Sequence, residues 1–505
     1  MRKTSWLRRG MPVVAMLAAV PASAQQATTL QGLDAYVEQA LRDWEVPGAA
    51  IAVVRGDSVI FARGYGVREL GKPGRVDENT VFAIASITKS FTSTLVGMLV
   101  DEDRVAFDEP AARYLPDLQL ADPWVSRAFS VRDMLAHRSG VERGDWLWHG
   151  TDNDRAQVVR QLRYLRPVGA FRTTYGYSNN MYIAAGQMVA AVTGTSWDDA
   201  IRERIFRPLG MTRSNTSVRD LAGMDNVAAP HEKLEGRLRV VPPGNLDNEG
   251  PGGSINSSVM DMTRWIRLQL AGGTFEGNRL IDSLTLREAH APQTIIPITA
   301  LHRAAYPDLH FLNYGMGWEI LNYRGEKVVQ HSGSFDGMRA RLSLIPERNV
   351  GFVILTNRGW GNTMDAALRN RLLDALLGAP ERDWSTEYRA RARADEEASA
   401  RFDREVAAAR IPGTRPALPL SGYAGSYADE AFGTATVRLE NGRLVMTLGP
   451  RHSAPLEHWH HDTFRANWDN PAMGWSLVTF GFNHDGEVDE VEVGGVRTYR
   501  RVPEL

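Results

Sequence analysis

Ser86 and Lys89 stand three residues apart, just ahead of the apolar run Phe91-Thr92-Ser93-Thr94-Leu95-Val96-Gly97-Met98-Leu99-Val100. If that run is a helix, Ser86 sits in its first turn. There, free backbone N–H groups and the helix dipole favour developing negative charge. Lys89 then lies one turn further on, with its amine within reach of the Ser86 hydroxyl. A hydroxyl beside an amine is a recognised way to make a nucleophile. The chain's lysines are Lys3, Lys72, Lys89, Lys233 and Lys327, and none of the others has a serine three residues before it. Taken alone, the pair reads equally well as a surface serine and lysine on an ordinary helix.

Two more segments narrow the choice. Tyr177-Ser178-Asn179 is the only Tyr-x-Asn in the sequence, and His331-Ser332-Gly333 precedes a strand-like run. In this order the three segments resemble the pattern of the penicillin-binding-protein and class C β-lactamase group of serine hydrolases. The likeness is closest to its branch of β-lactamase-related peptidases and esterases (the peptidase S12, CubicO-type branch). Leu135-Ala136-His137-Arg138-Ser139-Gly140, Arg207-Pro208-Leu209-Gly210-Met211 and Gly252-Gly253-Ser254 running into Asp261-Met262-Thr263-Arg264-Trp265 also match. The resemblance runs from about Leu33 to Leu377.

The resemblance implies acyl transfer through a serine ester, with no cofactor and no metal. Ser86 would attack an amide or ester carbonyl, and Lys89 and Tyr177 would share the task of accepting its proton. Asn179 would orient Lys89 and donate to the substrate. The oxyanion would lie between the backbone N–H groups of Ser86 and Ser334, beside Gly333 of the third segment. A free tyrosine is a poor base near neutral pH, because its reference pKa is about 10, but a neighbouring cation favours its phenolate. His331 departs from the family pattern. Penicillin-recognising relatives usually carry lysine there, to bind a carboxylate. Histidine is mostly neutral above a pH of about 6.5, and offers an N–H rather than a permanent cation. That favours a peptidase or esterase over a β-lactamase or D-Ala-D-Ala carboxypeptidase. A non-catalytic binder of cell-wall fragments is the reading of another class. His137 is expected to support the fold near the site. Trp146 and Trp148, in a tryptophan-rich loop, either wall a substrate pocket or pack the helical domain, and packing is the usual fate of large aromatics.

The elements that position these residues follow from the pattern of the chain. Leu33, Tyr36, Val37, Ala40, Leu41 and Trp44 recur at helical spacing. Ala49 to Val54 and Ser58 to Arg63 read as strands around a Gly56-Asp57 turn. Gly315 to Leu321, Lys327 to His331, Met338 to Ile345 and Gly351 to Thr356 read as a meander, closed by a helix from Met364 to Leu377. The expected fold is α/β (α+β): an antiparallel sheet built from both ends of the region and flanked by helices, with a mostly helical domain inserted. The boundaries expected are 25–379 for the hydrolase domain, 380–419 for a charged helix and linker, and 420–505 for a small β-barrel resembling lipocalin-like modules. Asn441-Gly442 and Asp485-Gly486 mark its hairpins. His458, His460, His461 and Asp462 cluster there, and read as strand-end surface residues rather than a metal site.

The whole chain excludes several classes. At 505 residues it is long enough for two or three domains. Net charge is −2, so no basic field draws nucleic acid or anionic lipid. Without cysteine there are no disulfides, thiolate nucleophiles or cysteine–zinc sites. No G-x-S-x-G or H-E-x-x-H is present. Arg2, Lys3, Arg8 and Arg9, the apolar Met11 to Val20 and Ala22-Ser23-Ala24 read as a signal peptide over 1–24. The expectation is therefore a periplasmic or secreted enzyme, free of the membrane after cleavage. Its partners would be a small-molecule, peptide or ester substrate and, through the C-terminal domain, a second copy of itself.

Overall fold

The computed structural model describes residues 30–469, 473–495 and 497–502. The signal peptide expected at 1–24 lies outside them. Helix α1 (Leu33–Asp43) leads into strands β1 (Gly48–Arg55) and β2 (Ser58–Gly66), joined by the expected Gly56-Asp57 turn. Six more strands follow far downstream: β3 (Thr294–Ile295), β4 (Leu312–Tyr314), β5 (Glu319–Tyr323), β6 (Glu326–Phe335), β7 (Met338–Ile345) and β8 (Val350–Thr356). The sheet order is β2-β1-β8-β7-β6-β5-β4-β3, antiparallel throughout, with Ala49 opposite Thr356. Both ends of the region thus meet at the β1–β8 pair, as the sequence predicts.

Both faces of this sheet are covered. Ala50, Ala52 and Val54 of β1 join one core cluster, together with Val353 and Leu355 of β8. The alternate residues Ala49, Ile51 and Val53 join a second cluster, with Phe352 and Ile354. A strand whose two faces are both buried reads as a continuous apolar run, and β1 does so. The second face is closed by α1 and by the helices Met364–Leu376 and Trp384–Ala408.

The first face packs against helix α2 (Thr88–Asp101), in which 12 of 14 residues are buried. Three hydroxyls of this buried helix find partners inside the protein, while Ser93 Oγ and Thr94 Oγ1 have none among the described residues. Ser90 Oγ donates to the Ile87 carbonyl, Thr92 Oγ1 donates to the Pro251 carbonyl, and Thr88 Oγ1 accepts from the Ile255 N–H. Phe91 stacks on Trp265 with centroids 3.8 Å apart. Behind α2 lies the inserted helical region, including α3 (Asn179–Thr193).

The strand expected at 315–321 forms only from Glu319, because 315–318 form a bend after Tyr314, where Gly317 has φ 81. A Cβ on Gly317 would lie 2.7 Å from the Lys89 carbonyl oxygen. The chain leaves the sheet there because it must pass the first turn of α2, and glycine lets it pass.

Within the segment 380–419 the charged helix runs from Trp384 to Ala408. Buried Trp384, Ser385 and Tyr388 anchor it, and Trp384 Nε1 donates to Asp374 at 2.7 Å. Eight strands from Gly425 to Arg501 then close a barrel. Asn441 and Gly442 sit at φ 49 and 80, the type I′ pair expected there. In the histidine cluster, His458 Nε2 meets the His461 carbonyl, and Asp462 accepts from the Ala417 N–H and the Tyr423 hydroxyl. These residues fasten the linker to the barrel.

Candidate active site

Ser86 lies in a 3-10 turn, Ala85–Ile87, that runs straight into α2. Ala85 holds φ 44, in the left-handed region that L-residues avoid. The turn is pressed against β6, where any Cβ on Gly333 would collide with the Ile84 carbonyl. Gly333 therefore serves close approach of strand and turn. That approach sets Ser334 near Ser86, and both line one cavity of about 460 Å³.

Lys89 is fully buried beneath Ser86. Its Nζ meets Asn179 Oδ1 at 2.7 Å, the Gly252 carbonyl at 2.7 Å and Ser86 Oγ at 3.2 Å. An ammonium has three N–H donors, and these three acceptors occupy all of them. A neutral amine would keep the two short bonds and turn its lone pair to Ser86, the longest contact. One geometry therefore serves both to hold the serine and to receive its proton. Asn179, the first residue of α3, donates its Nδ2 to Asp145 Oδ1 at 3.2 Å. Asp145 also accepts from Trp148 Nε1 at 3.2 Å and pairs with Arg143.

Tyr177 presents its ring to these cations, with Lys89 Nζ 4.9 Å and Arg143 Cζ 5.4 Å from its centroid. His137 packs 4.3 Å from the same ring, and its Nδ1 accepts the Ser178 N–H. The imidazole is wholly buried, and burial first, then the Lys89 charge, hold His137 well below the usual histidine range. It is a neutral brace for the Tyr177 segment, as expected.

His331 corrects the expectation placed on it. Its Nδ1 lies 2.7 Å from the Ser332 carbonyl, which can only accept, so Nδ1 carries the proton. Nε2 is then an acceptor, and the Tyr314 hydroxyl donates to it at 2.9 Å. Burial lowers its pKa to about 4. The ring is neutral, both nitrogens are used inside the protein, and it does not line the cavity. His331 thus has no N–H left for a substrate.

Glu249 carries no motif that marks it in the sequence. Its carboxyl is buried, lines the cavity, and lies 3.9 Å from Lys89 Nζ. Burial raises its pKa to about 8, and the opposing pull of Lys89 is too distant to cancel that. Any Cβ on Gly252 or Gly253 would collide with this carboxyl. The two glycines, visible in sequence, make room for an acid that stands just before them. Asp336 lines the cavity too, beside Asp145 and Glu249, and burial pushes it above the usual carboxylate range.

Both tryptophans line the cavity, and Trp148, 7% exposed, also packs the main core. Trp146 is 41% exposed, lines the cavity, and meets His452 of the barrel at 5.6 Å. Met473, also from the barrel, lines the same cavity. A residue so far along the chain from the serine gives no local sequence signal of that role.

The profile of the Beta-lactamase family matches residues 33–377, and that of a domain of unknown function, DUF3471, matches 409–499. Unguisins hydrolase ungD of Aspergillus violaceofuscus is 29% identical over 455 residues, spanning 83% of this chain and 79% of its own. Penicillin-binding protein 4 of Amycolatopsis lactamdurans is 29% identical over 352 residues, 66% of this chain and 86% of its own. The octameric penicillin-binding protein homologue from Pyrococcus abyssi superposes with a TM-score of 0.62 at 21% identity, covering 93% of this chain and 99% of its own. That last likeness is one of fold.

Proposed function

The chain belongs to the Beta-lactamase family of serine hydrolases, and from that premise we propose that it cleaves an amide or ester bond of small peptides or esters through an acyl-enzyme on Ser86. The Ser86 oxygen attacks the carbonyl carbon, and its proton passes to Lys89 or Tyr177. The oxyanion is held by the N–H groups of Ser86 and Ser334. The leaving group departs with a proton, and water then releases the acyl group by the reverse path. The observation that carries this reading is the contact of fully buried Lys89 with Ser86, Asn179 and Gly252 at the cavity floor.

The charges around the cavity support neutral or amine-bearing substrates over carboxylates. Among the described lining residues the one arginine or lysine is Arg143, and it is paired with Asp145. Asp336 adds acid, Glu249 stays protonated up to about pH 8, and neutral His331 supplies no cation. A β-lactam or D-Ala-D-Ala carboxylate would find no fixed countercharge there. Neutral p-nitrophenyl esters and aminoacyl amides should exceed a chromogenic cephalosporin in kcat/KM by at least about a hundredfold, the scale of one lost charge-assisted contact. Preference for the cephalosporin would overturn the substrate class. We also propose export, supported by the charged, apolar and small-residue order of 1–24. N-terminal sequencing of the mature protein should begin at Gln25. Self-association through the barrel is a further proposal, read by light scattering with and without residues 409–505.

A further inference from the structure

A second cavity of about 460 Å³ lies between the catalytic domain and the barrel. The two domains are joined around it. Arg497 of the barrel donates to Glu142 at 2.7 Å, Arg451 donates to Asp152 at 2.7 Å, and Ala431 enters the main core cluster. His452 wedges its ring into the space of Gly150, which has φ 69 and where any Cβ would strike the imidazole. The cavity is thus part of a fixed interface.

It shares Arg143, Asp145, Trp146, His149 and Met473 with the catalytic cavity. No more than one layer of residues therefore divides the two. Phe432, Leu448, Trp468 and Val493 make its other walls largely apolar. Its charged groups are already matched: Arg497 with Glu142 and Asp429, and Arg143 with Asp145. Burial and the neighbouring His149 lower His452, so the imidazole adds no charge. Such walls favour a neutral apolar ligand and penalise an ion that would have to displace an existing pair.

We propose that this interface cavity is a subsite for a neutral apolar group of the substrate, an alkyl chain or an apolar side chain carried beside the bond that Ser86 cleaves. The inference rests on the hydrolase reading, and it makes the barrel part of substrate selection. Trp146 and Met473, which touch both cavities, stand where such a group would pass.

The test uses the full chain and separates binding from turnover. The neutral fluorophore N-phenyl-1-naphthylamine is titrated into the Ser86→Ala protein, alone and with Thr434→Trp or Leu448→Trp. Both positions line only the second cavity, and Thr434 is an exposed strand residue that tolerates a larger side chain. Binding to one site, weakened about tenfold or more by either tryptophan, is expected. In the otherwise wild-type protein, kcat/KM is measured for p-nitrophenyl esters from acetyl to decanoyl and for acetyl esters of alcohols over the same range. In one series it should climb by up to about fourfold per methylene once the chain enters the second cavity. Either tryptophan should cut the long-to-short ratio about tenfold. Naphthylamine that fails to bind, or binds folded variants equally well, overturns the proposal, as does an unchanged ratio. Naphthylamine binding that responds as expected, with no ester of any length hydrolysed, supports the ligand class and overturns the Ser86 reading instead.

Discussion

At the cavity floor, Lys89 is buried and three acceptors take its three protons. At the opposite wall, Trp146 is 41% exposed, and Met473 arrives from another domain. The floor is a closed polar network, in which each group is fixed by a partner that would otherwise be unpaired in a buried place. The wall is apolar surface with its charges matched elsewhere. Chemistry needs the first kind of construction, because proton transfer depends on fractions of an ångström. Selection of an apolar group needs only area and shape. Perturbing the floor should therefore abolish turnover, whereas perturbing the wall should redistribute it among substrates.

The largest effect should come from Ser86→Ala. Turnover of any ester should fall by about four to six orders of magnitude, as when other serine hydrolases lose their nucleophile. The thermal melt should hardly move, since the side chain makes one long contact. Tyr177→Phe should lower kcat by about a hundredfold to ten-thousandfold, the range for a general base. A near-normal rate would leave Lys89 as the sole base.

Much of the floor is legible in the amino-acid sequence. Ser86–Lys89 and Tyr177–Asn179 are local spacings on helix starts, and helical geometry fixes what such spacings can reach. β1 and β8 are legible because a strand buried on both faces is a plain apolar run, and β7 because apolar and polar residues alternate along it. The role of His331 is not, since the fate of its two nitrogens depends on Tyr314 and on its own neighbour's carbonyl. Glu249 is hidden because its pairing with Lys89 and its burial are tertiary facts. The wall is illegible for the same reason: His452 and Met473 reach Trp146 only after the barrel has docked.

Glu249→Gln sharpens the floor's side of the contrast through stability. The folded carboxyl keeps its proton up to about pH 8, whereas its unshifted pKa is 4.5. Between those values the unfolded chain binds fewer protons, so stability falls as pH rises. His331, lowered from 6.5 to about 4, acts in the opposite sense and only below about 6.5. Between pH 6.5 and 8 the Glu249 contribution therefore stands clear of it, and wild type should lose about 2 kcal/mol there that Glu249→Gln does not. Urea unfolding at both pH values reads this directly, and parallel slopes would return Glu249 to an ordinary carboxylate. The smallest effect belongs to the wall. Trp146→Ala should raise KM for apolar esters about threefold to tenfold with little change in kcat. A collapse of kcat would move Trp146 into the chemistry.

The most direct measurement is intact-protein mass spectrometry after rapid acid quench of the enzyme with p-nitrophenyl acetate, followed by peptide mapping. The expected result is the added mass of one acetyl group, carried by Ser86, decaying as substrate is exhausted and absent from Ser86→Ala. An acetyl group on another residue, or one that persists in Ser86→Ala, would contradict it.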